Sequence, residues 1–172
     1  MIMAARGFEP KIGKDTFVAP SADIIGNCTI GSNCSIWFNT TLRGDVMPIE
    51  IGDETNIQDG STVHGTLNQA AAKIGRRVTV GHNVILHGCK VEDLCLIGMG
   101  SILMDHSLIR RRSIVAAGSL VTEGSEFPEG HLILGRPAKA VRALNAEELA
   151  FLDKSADNYM LYKTWYSPSE VK

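Results

Sequence analysis

Aliphatic side chains recur at every sixth position along much of this chain. The longest unbroken run is Val91, Ile97, Leu103, Ile109, Val115 and Val121. A small residue stands four positions after nearly every one of them. A spacing of six fits neither the period of an α-helix, about 3.6 residues, nor the two-residue alternation of a plain strand. It is typical of a solenoid, in which short strands stack coil upon coil.

The same spacing organises the first half of the chain. There the aliphatic positions are Val18, Ile24, Ile30, Ile36, Leu42, Ile51, Ile57, Val63, Ile74, Val80 and Leu86. One aliphatic and one small inward side chain per six residues suits a narrow triangular β-helix, because its flat faces leave little room at each corner. Chance alternation in a β-sandwich, the alternative, would drift out of phase within about two or three strands. The pattern predicts a mainly β protein, a parallel β-helix.

The spacing is interrupted in the middle of the chain. The step between aliphatic positions is nine residues at 42–51, eleven at 63–74 and five at 86–91. The first two steps predict loops extruded from the coil, and the third predicts a turn shortened by one residue. Irregular segments on a regular solenoid are where functional residues are commonly found.

The composition changes after the last hexads. Segments 127–130, Phe-Pro-Glu-Gly, and 135–138, Gly-Arg-Pro-Ala, predict an extended, turn-rich exit from the solenoid. Asn145 with Glu148 three positions later has the form of a helix N-cap and its capping partner. The side of this helix expected to pack on the β-helix wall carries Leu149, Leu152, Ala156, Tyr159 and Lys163.

Two units are therefore expected. Residues 1–141 form the β-helix domain with its exit loop, and residues 142–172 form the C-terminal helix with a tail packed on that domain. The end is expected to fray after Trp165.

Composition and charge limit the classes of function. The 172 residues are 44% hydrophobic but only 6% aromatic, which suits one core of small aliphatic side chains. A net charge of -2 gives no electrostatic case for nucleic acid or a membrane surface. We expect a soluble, cytoplasmic protein, because no apolar run is long enough to span a bilayer and no signal peptide is evident. The cysteines at 28, 34, 89 and 95 occupy small inward positions, which predicts reduced core residues.

The repeat phase places histidines in space. Segments three hexads apart lie above one another, so Arg43, His64 and His87, each one residue past an aliphatic, form one column. Asp59 and His82, each two residues past an aliphatic, form a second column on the neighbouring face. Adjacent coils are about 5 Å apart, so His64 and His87 can approach each other, whereas His82 cannot easily join them within one chain.

Association of three chains would bring these columns together. One subunit's His64 and His87 could then meet the His82 corner of its neighbour. Three neutral imidazoles with an open fourth position are typical of a catalytic zinc site. A lone histidine is more often a surface or hydrogen-bonded residue, and the grouping by phase is what favours the metal. His106 and His131 show no such grouping and are expected to be structural or surface residues.

Several motifs on this scaffold resemble one known family. They are Arg43-Gly44-Asp45, Gln58-Asp59-Gly60, His64, Gly81-His82-Asn83, His87-Gly88-Cys89, the Gly-Arg-Pro-Ala-Lys exit and Asn158-Tyr159. Together they resemble the γ-class carbonic anhydrases and their bacterial relatives over about residues 8–162. The resemblance implies a left-handed parallel β-helix with a C-terminal α-helix, assembled as a homotrimer. It also implies zinc, with iron or cobalt as alternatives, held by His64 and His87 of one subunit and His82 of its neighbour.

The resemblance also implies roles for the polar residues. Arg43 would pair with a carboxylate across the interface, with Asp59 the favoured partner and Asp45 in the same network. Gln58 would orient the metal-bound hydroxide. Tyr159 is either an active-site neighbour or a helix-packing tyrosine. The implied reaction is reversible hydration of carbon dioxide to bicarbonate by that hydroxide.

The sequence departs from the most active members of the class in its acidic residues. Val46 stands where they have an acid after the Arg-x-Asp pattern, and the loop at 65–73 contains no glutamate to shuttle protons. Slow or absent turnover is therefore expected. The alternatives are an acyl-CoA thioesterase using the same metal site and a non-catalytic trimeric metal-binding or assembly module. An acyltransferase is disfavoured, because three phased histidines exceed what its general base requires.

Overall fold

The computed structural model describes residues 1–166, which contain nineteen β-strands, one α-helix and a final 3-10 turn. The strands of the first half are β1 (Ile2–Met3), β2 (Lys11–Ile12), β3 (Phe17–Val18), β4 (Asp23–Ile30), β5 (Ser35–Ile36), β6 (Thr41–Ile51), β7 (Asn56–Ile57), β8 (Thr62–His64), β9 (Ala72–Ile74) and β10 (Thr79–Val80). Those of the second half are β11 (Ile85–His87), β12 (Lys90–Val91), β13 (Leu96–Ile97), β14 (Ile102–Leu103), β15 (Leu108–Ile109), β16 (Ile114–Val115), β17 (Leu120–Val121), β18 (His131–Gly135) and β19 (Ala138–Ala143). Except for the β18–β19 pair, the strands pair in parallel, so the predicted solenoid is confirmed.

The strands stack in three columns, which we name the first, second and third faces. The first face aligns residues 42, 63, 86, 103 and 121. The second aligns residues 18, 36, 57, 80, 97, 115 and 133. The third aligns residues 30, 51, 74, 91 and 109. These registers confirm that segments three hexads apart lie above one another.

The core is a single column of small and aliphatic side chains inside the coil. The six aliphatic residues of the run at 91–121 are each at most 1% exposed, as are the small residues Ser101, Ser107, Ser113 and Ser119. Burial of a Val, Leu or Ile side chain contributes about 1.5–3 kcal/mol, so successive hexads, each with one such side chain, contribute comparable amounts. The four cysteines are free and buried, as predicted, and burial raises the pKa of Cys89 and of Cys95 to about 12.

The three interruptions of the spacing appear as irregular backbone. In the first, β6 runs on from the first face to the third, and its register against β4 shifts between Gly26 and Cys28. In the second, a loop at 65–71 is closed by an antiparallel bridge between Thr66 and Ala70. In the third, the shortened turn between β11 and β12 contains Gly88 at a φ of +54°.

The exit from the solenoid is more regular than the sequence analysis predicts. Ile133 of β18 aligns with Val115 and is fully buried, so the coil continues past Val121. Phe127 is also buried, and a parallel bridge beside it joins Glu126 to Leu108. β19 then folds back antiparallel on β18. The predicted extended loop is thus partly a final coil and a hairpin.

The C-terminal helix begins at the predicted N-cap. Helix α1 spans Ala146–Tyr162, and Asn145 and Glu148 form both hydrogen bonds of a capping box. Leu152 and Ala156 of the expected stripe are buried against the coil, together with Ser155. Lys163, the last member of that stripe, lies beyond the helix in the 3-10 turn at Lys163–Tyr166.

Polar contacts fix the helix on the coil. Arg77 lies 2.8 Å from Glu54 and from Asp157, and 3.3 Å from Asp153. The Ser155 hydroxyl donates to Thr79 Oγ1 at 3.1 Å.

Strand β19 crosses the expected domain division at 141/142, and that division stays a prediction. The fraying predicted after Trp165 concerns mainly residues 167–172, which lie outside the described part of the chain. Within residues 1–166, no helix is both long and apolar enough to cross a membrane.

Candidate metal centre

The first face carries two histidines in direct contact. β8 and β11 align His64 with His87, and their ring centroids are 5.3 Å apart. His64 Nδ1 lies 3.3 Å from His87 Nε2. Arg43 Nη2 lies 3.4 Å from the same Nδ1 atom, so the predicted column of Arg43, His64 and His87 is confirmed.

Asp45, in the first interruption, contacts two members of this column, Arg43 and His64. Its Oδ2 accepts from Arg43 Nη1 at 2.7 Å, and its Oδ1 lies 3.0 Å from His64 Nε2. Desolvation alone would raise the pKa of Asp45, but the hydrogen bonds from Arg43 and His64 outweigh it and lower that pKa. Asp45 is therefore Arg43's partner within the chain. The expected pairing of Arg43 with Asp59 is between chains and stays a prediction.

Asp105 is a member of the group that the sequence analysis missed. Its Oδ1 lies 2.6 Å from His87 Nδ1, and its Oδ2 accepts from the Thr66 hydroxyl at 2.5 Å. Desolvation raises the pKa of Asp105, but the bonds from Thr66 and His87 bring it below its usual value. The six-residue repeat could have indicated Asp105, because Leu103 stacks on Leu86 and so brings the residues after Leu103 close to His87.

The second column lies on the neighbouring face, as predicted. His82 Nδ1 is 2.9 Å from Asp59 Oδ2, one coil apart. Gln58, which directly precedes Asp59, is buried. Its Nε2 donates to Asn56 Oδ1 at 3.1 Å. Asn56, also absent from the sequence analysis, donates in turn to Thr79 Oγ1.

Tyr159 packs between the helix and the coil. Its ring meets Trp37 edge to face with centroids 5.6 Å apart and contacts Tyr162 at 5.3 Å. Burial, with a smaller contribution from the negative charge of Asp59, raises the pKa of Tyr159 to about 12. Within the single chain the tyrosine therefore packs between aromatic side chains, and its expected place as an active-site neighbour stays a prediction.

The remaining two histidines belong to neither column. His106 is exposed in a turn, and His131 Nδ1 hydrogen-bonds the carbonyl of Glu129. Within residues 1–166 of one chain, no group of three or more His, Cys, Asp or Glu side chains is arranged to hold a metal. The structure therefore brings His64 to His87 and leaves His82 with Asp59.

The atoms of the His64–His87 pair fit a shared metal ion. Two nitrogens bound to one tetrahedral zinc at about 2.0–2.1 Å lie about 3.3–3.4 Å apart, which matches the observed 3.3 Å. The other nitrogen of each ring faces a carboxylate, Asp45 or Asp105, as metal-ligating histidines characteristically do. In neutral rings so oriented, two lone pairs face each other, and Arg43 Nη2 lies 3.4 Å from the one on His64. A metal ion between the rings would take the place of that arginine contact.

A parallel β-helix built from six-residue repeats defines a hexapeptide-repeat protein. A family model described as bacterial transferase hexapeptide (six repeats) matches residues 9–44. A second, described as hexapeptide repeat of succinyl-transferase, matches residues 72–104.

Similarity to individual proteins identifies the family more closely. The chain is 42% identical to a carbonic anhydrase from Geobacillus kaustophilus, over 96% of this chain and 91% of that protein. It is 45% identical to the mitochondrial γ carbonic anhydrase 2 of Arabidopsis thaliana over 88% of this chain, but it spans only 56% of that protein's length. A crystal structure of a hexapeptide transferase family protein from Anaplasma phagocytophilum superposes with a TM-score of 0.93 at 43% identity, covering 97% and 98% of the two chains. The chain belongs to the γ-carbonic anhydrase-like family of hexapeptide-repeat proteins.

Proposed function

We propose that this protein hydrates carbon dioxide reversibly to bicarbonate, at a zinc site shared between subunits of a homotrimer. The observation that carries the proposal is the His64–His87 pair, whose facing nitrogens lie 3.3 Å apart with a carboxylate behind each ring. The relatives named carbonic anhydrase support the reaction.

His82 of a neighbouring chain is proposed as the third ligand. Its Nδ1 faces Asp59, which leaves Nε2 available to a metal. The first face also offers a surface for association, because the outward residues Ile85, Ile102 and Leu120 align in a column beside His87. Ile85 is 41% exposed in the single chain, and burial of such a column would favour oligomerisation.

Zinc, with iron or cobalt as alternatives, would acidify water when bound and so supply a nucleophile at neutral pH. The protein's own residues orient the histidine ligands and the nucleophile. Asp45, Asp59 and Asp105 fix one histidine ring each. Gln58 donates through Nε2 to Asn56, which leaves Oε1 as its acceptor for a nucleophilic hydroxyl group.

Proton export lacks acidic residues at the two places where they are expected. Val46 is apolar, and the loop at 65–71 contains neither Asp nor Glu. General acid–base groups near the reacting atoms typically contribute about 10²–10⁴-fold to rates. We therefore expect turnover limited by proton transfer.

The test is stopped-flow carbon dioxide hydration by zinc-loaded and anaerobically iron-loaded protein. We expect activity and about one metal per chain in the wild type, and loss of both in His82→Ala. His131→Ala is the matched control, because the His131 side chain bonds only the local carbonyl of Glu129 among the contacts described for it, and the variant should retain metal and activity. Full metal occupancy in His82→Ala would refute the ligand assignment.

An acyl-CoA thioesterase using the same site is the second candidate. It is favoured by a cavity of about 370 Å³ beside His87, whose lining includes the apolar side chains of Ile85, Ile102 and Met104 and which in the proposed trimer would lie at the subunit interface. Release of free thiol from a panel of acyl-CoAs, without carbon dioxide hydration, would select it. Bound metal with neither activity would select the metal-binding or assembly module.

A further inference from the structure

Asp105 joins a histidine of the candidate metal centre to an extruded loop. One carboxylate oxygen lies 2.6 Å from His87 Nδ1, and the other accepts from the Thr66 hydroxyl at 2.5 Å. The Asp105 side chain is only 17% exposed. Thr66 belongs to the loop at 65–71 and His87 precedes the shortened turn, so this single side chain bridges two of the three interruptions.

The contacts of Asp105 determine which nitrogen of His87 carries the proton. A carboxylate accepts hydrogen bonds but does not donate them, so the imidazole N–H and the Thr66 hydroxyl must both be donors. The proton therefore lies on Nδ1, and a neutral ring then has its lone pair on Nε2. Nε2 is the atom that faces His64 across 3.3 Å.

Gly88 provides the space that this arrangement requires. A Cβ atom at residue 88 would lie 2.3 Å from Asp105 Oδ1 and 2.5 Å from Ala70 Cβ. Any side chain there would displace the carboxylate or the loop. The glycine directly after His87 is thus needed for Asp105 to reach the ring.

We propose that Asp105 is a positioning residue of the metal centre: it holds His87 with Nδ1 protonated and Nε2 directed at the metal, and Thr66 anchors its carboxylate. The metal part rests on the proposed function, whereas the tautomer can be tested without metal. Outer carboxylates of this kind typically change metal affinity by about 10–100-fold when they are removed.

The first experiment measures the ring-nitrogen chemical shifts of His87 by NMR in the metal-free, full-length protein. The wild type should show a protonated Nδ1 and a bare Nε2. In Asp105→Ala the shifts should move toward an average of the two tautomers, and Thr66→Val should move them in the same direction by less. The control is Asp93→Asn, because Asp93 accepts from a backbone N–H one turn away on the solenoid rather than from a histidine. A wild-type ring protonated on Nε2, or unchanged shifts in Asp105→Ala, would overturn the proposal.

The second experiment measures zinc affinity by competition with a chelator. Asp105→Ala should bind zinc about 10–100-fold more weakly, and Asp105→Asn, which keeps a carbonyl acceptor, should recover part of the loss. Lower thermal stability with unchanged tautomer and affinity would show that Asp105 only pins the loop, and would overturn the proposal. If the wild type binds no zinc, both the proposed function and the metal role of Asp105 are wrong. The NMR comparison still decides whether Asp105 sets the tautomer of His87.

Discussion

Three carboxylates each hold one histidine in this chain: Asp45 holds His64, Asp59 holds His82 and Asp105 holds His87. Asp45 and Asp59 belong to the sequence motifs at 43–45 and 58–60. Asp105 has no motif of its own, and only the stacking of residue 103 on residue 86 brings it to the ring. Its contact is therefore a consequence of coil geometry, which local sequence does not display.

Glycine at position 88 gives a prediction for a single residue. Gly88 and Gly100 both have a positive φ, at +54° and +69°, but a Cβ at 100 would meet nothing within 4 Å. Gly100→Ala should cost about 1–2 kcal/mol, the usual penalty for an L-residue in the left-handed region. Gly88→Ala should cost more, because it also displaces Asp105 and Ala70. Urea denaturation of both variants measures the difference, and equal losses would contradict the role of Gly88.

Among the elements, the helix was the most predictable and the exit the least. The Asn145–Glu148 signal is local, and the capping box forms where it predicts. At the exit, Phe127 and Ile133 continue the six-residue spacing after Val121, so a signal existed. The Pro and Gly residues around them also predict turns, and local turn chemistry concealed the final coil.

The capping box leads to a prediction about pH. Hydrogen bonds from Arg142 and from the Asn145 backbone lower the pKa of Glu148 from 4.5 to about 2. A depressed pKa means that its stabilisation is fully present above pH 4.5 and is lost as the pH falls toward 2. In Glu148→Gln, the free energy of unfolding should therefore decline less steeply across that window. Glu147→Gln, in the same first turn but outside the capping box, is the matched control. An unchanged decline in Glu148→Gln would contradict this account.

At the scale of the whole molecule, the candidate site is divided between two faces. His64 and His87 lie on the first face and His82 lies on the second, so one chain presents two halves of a site in different directions. Closed assembly of identical chains is the usual way to join such halves. The proposed trimer would join the two halves at each of its interfaces.

The division predicts complementation between two inactive variants. His64→Ala keeps the His82 half, and His82→Ala keeps the His64–His87 half. Trimers reassembled from an equal mixture should recover about a quarter of the wild-type sites, because each interface needs one intact half from each variant. Metal content and carbon dioxide hydration of the mixture measure the recovery. Mixing either variant with itself is the control, and no recovery in the verified mixed assembly would contradict a shared site.

The sequence by itself determined the coil, because a six-residue spacing that persists through the chain can be buried in few ways. It determined the two histidine columns for the same reason, since their phases follow from the repeat. Only the tertiary structure decided the contacts at the interruptions: Asp45 with Arg43 and His64, and Asp105 with His87 and Thr66. The repeat places Asp105 one coil from His87 but does not specify that its carboxylate bonds the ring. The path of the extruded loop that carries Thr66 is set by packing against a coil 39 residues away in sequence.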